Sequence, residues 1–224
     1  MVRRAKMAGL DGIAITDHNA LFPAKEARDL SREFGILVIP GIEGGRIALG
    51  RHWIALGIAD IPTCTSIPDI LASVDSQNGV SIAPHPCSPA GIPRFADLGF
   101  TAAEQINGTE YRTNRRVAVP EGIAALGSSD AHAAYMLGHT WTRMMCDATV
   151  DDVLGCLERG ACTPEGSVVP FPLFLAWLGE EAGRQVLSIA TAPVRVPTRP
   201  VRRLIAQRVH SWQDPVVSPF SPLE

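Results

Sequence analysis

Short apolar runs recur along the chain, separated by stretches of helical spacing or by polar and Gly-rich residues, the rhythm of alternating strands and helices around a largely parallel sheet. "GIAIT" (12–16) predicts a strand. "PAKEARDLSREF" (23–34) places Ala24, Ala27, Leu30, Ser31 and Phe34 on one helical face, with Gly35 as the stop. "ILVIP" (36–40) and "HWIALGI" (52–58) predict the next strands. Ser66 then caps a helix with Pro68 in its first turn and Ile70, Leu71 and Val74 facing inward, until Asn78-Gly79 ends it. "VSIAPHP" (80–86), "AAEQING" (102–108), "IAALGSSDAH" (123–132) and "HTWTRMM" (139–145) continue the strands. "TVDDVLGCLERG" closes the series as a helix, with Thr149 and Asp152 in capping-box-like spacing and Gly160 as terminator.

The pattern predicts an α/β unit over residues 1–163. Beyond it the chain becomes proline-punctuated, and residues 164–224 are expected to form an appended helical extension. Two helix-like pieces lie in that extension, "LFLAWLGEEAGRQVL" (173–187) and "VRRLIAQRVHSW" (201–212). Around the second, Arg195, Arg199, Arg202, Arg203 and Arg208 gather with no acid between them.

Composition narrows the function classes. With 46% apolar and 19% charged residues, a chain of 224 residues has enough apolar content to build a core. The formal charge of −3 gives no overall attraction to nucleic acid or an anionic membrane. Five scattered cysteines without a C-x-x-C pair match neither a disulfide framework nor a thiolate zinc site, so the expectation is a cytoplasmic protein. The first residues hold no apolar stretch of signal-peptide length.

The polar residues of interest fall at strand ends. His18 follows the first strand, Glu43 the second, His52 opens the third, His85 closes the fourth, and Asp130 with His132 closes "IAALGSSDAH". In parallel sheets and barrels the carboxyl ends of strands share one face, where sites are built. Each residue alone has a plainer reading: Glu43 as a turn acid, His52 as an edge residue beside Trp53, His85 as the marker of a Pro-flanked turn, Asp130 as a helix cap. Together, four imidazoles and two carboxylates make a donor set for divalent zinc, manganese or iron. No nucleophile elbow, P-loop or dinucleotide fingerprint competes with it.

In order and spacing, "GLDGIAITDHNAL", "VIPGIEGG", "HWIALGI", "APHP", "EQING" and "ALGSSDAH…LGHTWT" resemble the PHP (polymerase and histidinol phosphatase) family with its PHP-associated segment, over about residues 5 to 160. The resemblance implies a distorted, TIM-like (β/α)7 barrel that binds up to three divalent ions and hydrolyses phosphoesters. It implies that Glu43, His52 and His85 form one metal site, with Glu43 bridging toward a second ion held by Asp130. His18 and His132 would belong to a third ion, and would assist proton transfer where not committed to metal; Asp17 would orient an imidazole.

One departure stands out. Family members open on a strand bearing H-x-H, whereas only 17 residues precede His18 here and none is a histidine. The expected barrel therefore lacks its first strand and part of its ligand set, and its open edge invites a second copy of the chain as a homodimer partner. Two functions remain: a metal-dependent phosphoesterase acting on a small phosphorylated substrate, with Arg115 and Arg116 clamping the phosphate, or a catalytically impaired PHP module with a structural or partner-binding role. Ligand sets of this kind also activate water against amides.

Overall fold

The computed structural model describes residues 1–46 and 50–191. After helix α1 (Val2–Met7) come β1 (Gly12–Ile15), α2 (Ala24–Phe34), β2 (Leu37–Arg46), β3 (Gly50–Leu56), α3 (Ile67–Asp75), β4 (Val80–Ala83), β5 (Ala102–Asn107) and β6 (Ala124–Ser128). Then follow β7 (Thr140–Met144), α4 (Val150–Glu158), β8 (Cys162–Gly166) and α5 (Phe171–Thr191). The helix signals act as their chemistry requires. Gly35 takes the left-handed conformation that stops α2, at φ 60°. The hydroxyls of Ser66 and Thr149 accept the backbone N–H groups of Asp69 and Asp152 at the starts of α3 and α4.

Strands β1 to β6 form one six-stranded sheet in chain order, and β7 pairs with β8 in a second, two-stranded sheet. The result is a mixed α/β fold. The expected largely parallel arrangement needs one correction: β1–β2, β4–β5 and β5–β6 are parallel, but β3 runs antiparallel to both β2 and β4. Alternating apolar residues look the same in either direction, so pattern alone does not fix a strand's sense. Close packing supports the reversal. Trp53, 1% exposed, lies over Gly44, where any Cβ would fall 2.1 Å from the indole ring.

Side chains alternate across the sheet. Ile42, Trp53, Ala55, Ala83 and Ala103 pack with Ile70 and Val74 of α3 on one face. Ile39, Ile54, Leu56, Ile82 and Leu126 take the other, with Leu154 and Leu157 of α4. Glu43 pairs with Ile54, and His52 lies two residues before Ile54, so both project to that second face. A cavity of about 1020 Å³ opens there, lined by Ile39, Ile54, Ile82 and Leu126 and reaching Glu43, His85, Glu104 and Asp130.

The expected boundary at residue 163 falls inside β8, which pairs with β7 from Met144↔Cys162 to Thr140↔Gly166. Val169 N–H donates to the carbonyl of Gly108 (2.8 Å), carrying the chain back across the sheet before α5 begins. The helix-like piece at 173–187 falls within α5. The piece at 201–212 and the arginines around it lie outside the described residues.

Candidate metal centre

All four candidate imidazoles approach one another. Ring centroids are 5.2 Å apart for His18 and His52, 5.3 Å for His52 and His85, and 6.4 Å for His18 and His132. Glu43 stands among them. Its Oε1 lies 2.9 Å from His52 Nδ1 and 3.4 Å from His85 Nε2, and its Oε2 lies 3.8 Å from His18 Nδ1.

The reversal of β3 brings this about. Glu43 lies within β2, which runs on to Arg46 rather than ending before it, and His52 lies near the start of β3. In a parallel strand that start would sit at the opposite end of the sheet from His18 and His85. Because β3 runs backward, its start meets the carboxyl ends of its neighbours.

Local backbone bonds seat the other groups. His18 bridges Glu43, with Asn19 N–H donating to Glu43 O (2.7 Å) and Glu43 N–H to Asp17 O (3.1 Å). Asp17 thus acts here through its backbone carbonyl. His85 and Asp130 both have positive φ, 29° and 46°, a region that L-residues rarely occupy and that recurs at functional sites. His85 is held from three sides: its N–H donates to Glu104 Oε2 (2.7 Å), its carbonyl accepts from Ser88 N–H (2.9 Å), and its Nδ1 meets the Ser88 hydroxyl (2.9 Å). That last contact leaves Nε2 facing Glu43.

Asp130 sits farther along the rim. Its Oδ2 lies 2.7 Å from the Thr109 hydroxyl and 3.2 Å from Asn107 Nδ2, while His132 Nδ1 approaches its Oδ1 at 3.8 Å. Arg115 and Arg116 occupy a short 3-10 turn (Asn114–Arg116) with exposed side chains, and no contact joins them to the six among the described residues.

The electrostatics are those of a cation seat filled by a proton. Burial would raise the Glu43 carboxyl, but the imidazoles of His52, His85 and His18 outweigh it and hold the group at about 2. Burial would lower His85, but Glu43 together with Glu104 and Asp130 pushes it up to about 9. Burial lowers His18, against the pull of Glu43.

These residues fit a divalent ion. His52 Nε2 is buried without a partner, and His52 Nδ1 and His18 Nδ1, also buried, face the Glu43 carboxylate at 2.9 and 3.8 Å outside regular hydrogen-bond geometry, a costly state for polar atoms. One donor atom from each of His18, Glu43 and His52 lies within 4.8 Å of the others. Donors around a tetrahedral zinc at ~2.1 Å stand roughly 3.4 Å apart, within the range of the Glu43 separations. The two oxygens of Glu43 face different imidazoles, the disposition of a carboxylate that bridges.

Four partners escaped the sequence reading. Glu104, Asn107, Ser88 and Thr109 hold His85 and Asp130 from behind, and the clue was a carboxylate directly after two alanines in the strand run "AAEQIN". The fourth imidazole has an unexpected neighbour as well. Trp177 of α5, a helix first assigned to the extension, lies 4.9 Å from His132 between ring centroids. Phe174 and Tyr111 continue that aromatic row at 5.5 and 5.2 Å, and the Tyr111 hydroxyl donates to the carbonyl of Val169.

Comparison with known proteins agrees with this fold. Residues 109–162 match the PHP-associated family (PHP_C). An uncharacterised protein of Methanocaldococcus jannaschii is 34% identical over 115 residues, covering 48% of this chain and 64% of the relative. A crystal structure of a two-domain protein from Bacteroides vulgatus, described as containing a predicted PHP-like metal-dependent phosphoesterase, superposes with a TM-score of 0.57 at 20% identity. That likeness of fold covers 74% of this chain and 60% of the other. The chain thus spans less than two thirds of either relative's length. A PHP-associated segment thus follows β5, within a fold similar to that of the Bacteroides vulgatus protein.

Proposed function

We propose that this protein is a metal-dependent phosphoesterase acting on a small phosphorylated substrate. The observation that carries the reading is the cluster of His18, Glu43 and His52, whose donor atoms lie within 4.8 Å of one another, with His52 Nε2 buried and without a partner. Glu43, His52 and His85 would hold one divalent ion, with Asp130, His18 and His132 extending the donor set along the rim. An ion held there supplies Lewis acidity, neutralising charge on phosphoryl oxygens and favouring ionisation of water near neutral pH.

The chain's own residues do the rest. His132, with 41% of its side chain exposed, and His18, with 30%, are the two imidazoles open to solvent. Either ring can take up or release a proton at the nitrogen that faces the substrate. The guanidinium groups of Arg115 and Arg116 would clamp the phosphate if the substrate extends toward their turn.

The test is phosphate release from nucleotide monophosphates, sugar phosphates and aryl phosphates with Mn²⁺ or Zn²⁺, against the same reactions in EDTA. Metal-dependent release supports the reading, and no release from a chain that demonstrably binds metal would leave a PHP module that holds an ion without hydrolysing phosphoesters.

A further inference from the structure

We propose that Glu104 and Asn107 are positioning residues, forming a buried hydrogen-bonded brace that fixes His85 and Asp130 in the geometry that binds the cation. The inference rests on the metal-binding reading above and concerns side chains that do not reach the ion.

Glu104 is 3% exposed and Asn107 1%. A single oxygen, Glu104 Oε2, accepts both the backbone N–H of His85 (2.7 Å) and the Asn107 amide (2.8 Å). The same amide nitrogen lies 3.2 Å from Asp130 Oδ2. One side-chain amide thus ties the backbone behind one donor to the carboxylate of another. The Thr109 hydroxyl, with one proton to give, lies 2.7 Å from Asp130 Oδ2 and 2.8 Å from Asn107 Oδ1. Asn107 is itself fixed by Asn114, whose Oδ1 accepts its N–H and whose amide donates to its carbonyl.

Two further features argue that the brace is built for the site. In a regular strand, residues three apart face opposite sides of the sheet. The pairing of β5 with β6 shifts register between Glu104 and Ile106, an irregularity of the kind that re-aims side chains near active sites. That shift lets Glu104 and Asn107 meet. The residues they hold, His85 and Asp130, are two of the non-glycine residues with positive φ. His85 also precedes Pro86, which restricts its backbone further, so its conformation needs outside support. A buried carboxylate is a poor choice for packing alone, and Glu104 is placed where it supplies that support.

The test compares Mn²⁺ affinity of the full chain by isothermal titration calorimetry for wild type, Glu104→Gln, Glu104→Leu and Asn107→Leu, beside thermal melts in EDTA. Gln keeps an oxygen able to accept both N–H groups, so E104Q should stay within about threefold of wild type. E104L and N107L should weaken binding by about 10–100-fold, the usual cost of removing an outer partner of a metal ligand, at a temperature where the metal-free proteins remain folded. Wild-type affinity in both leucine variants, even with lower melting temperatures, would reduce the brace to a packing feature and overturn the proposal; so would an E104Q loss as large as that of E104L. Should a leucine variant fail to fold, Asn107→Ser takes its place with the same expected loss. A wild type that binds no divalent cation would overturn the metal-site reading itself, an outcome distinct from unchanged variants.

Discussion

Glu43 faces three imidazoles with two oxygens, and its charge sets how the site responds to pH. Its carboxyl is held at about 2 against an ordinary 4.5, so its contribution to stability is present above pH 4.5 and is lost as pH falls through 2. His85 is raised to about 9 from 6.5, so its contribution is full below pH 6.5 and is lost as pH rises through 9. The melting temperature of metal-free protein should therefore peak between about pH 4.5 and 6.5 and decline toward pH 9, as scanning calorimetry in EDTA would record. Metal binding should run the other way. A cation has to displace the His85 proton, so apparent Mn²⁺ affinity should climb by up to about tenfold per pH unit between 6.5 and 9. Replacing the carboxylate itself, Glu43→Gln, should weaken Mn²⁺ binding more than about 100-fold, beyond the range expected for outer partners, measured by calorimetry.

Single elements show what the sequence discloses and what it hides. The caps were legible because their chemistry is local: Thr149 and Asp152 stand three apart and meet within one turn. Thr149→Ala should cost about 1 kcal/mol, read from urea denaturation. The strand ends at His85 and Asp130 were legible too, since each closes an apolar run. The sense of β3 was not, because its alternation reads equally in both directions, and it is this reversal that places His52 at the rim. Glu104 stayed hidden because its partners, His85 and Asn107, meet it through a distant turn and a register shift. Helix α5 was read as an appendage, yet Trp177 rests against His132. Trp177→Ala should raise amide hydrogen exchange in α5 while leaving β4 and β5 unchanged, as mass spectrometry of peptic fragments would show.

For the whole molecule, the sheet ends at β1 on one side and β6 on the other, and the cavity is lined from both, by Ile13 and Ile15 and by Leu126 and Ser128. The β6 side is already covered by β7 and β8, with Gly127 N–H donating to the Thr142 hydroxyl (3.0 Å), whereas an outer strand beside an apolar floor, as at β1, is a surface that proteins usually cover. The expected homodimer remains a proposal, with a mass twice that of the chain by light scattering as its expected outcome and a monodisperse monomer as its refutation. The antiparallel pairing of β2 with β3 bears on how the site is assembled. Glu43 and His52 lie close in sequence on consecutive antiparallel strands, whereas His85 and Asp130 wait on longer connections and parallel strand pairing. Nearby segments find each other sooner than remote ones, so during refolding the first pair of donors is in place before the rest of the sheet closes, and a cation present from the start can serve as the nucleus around which the later strands gather.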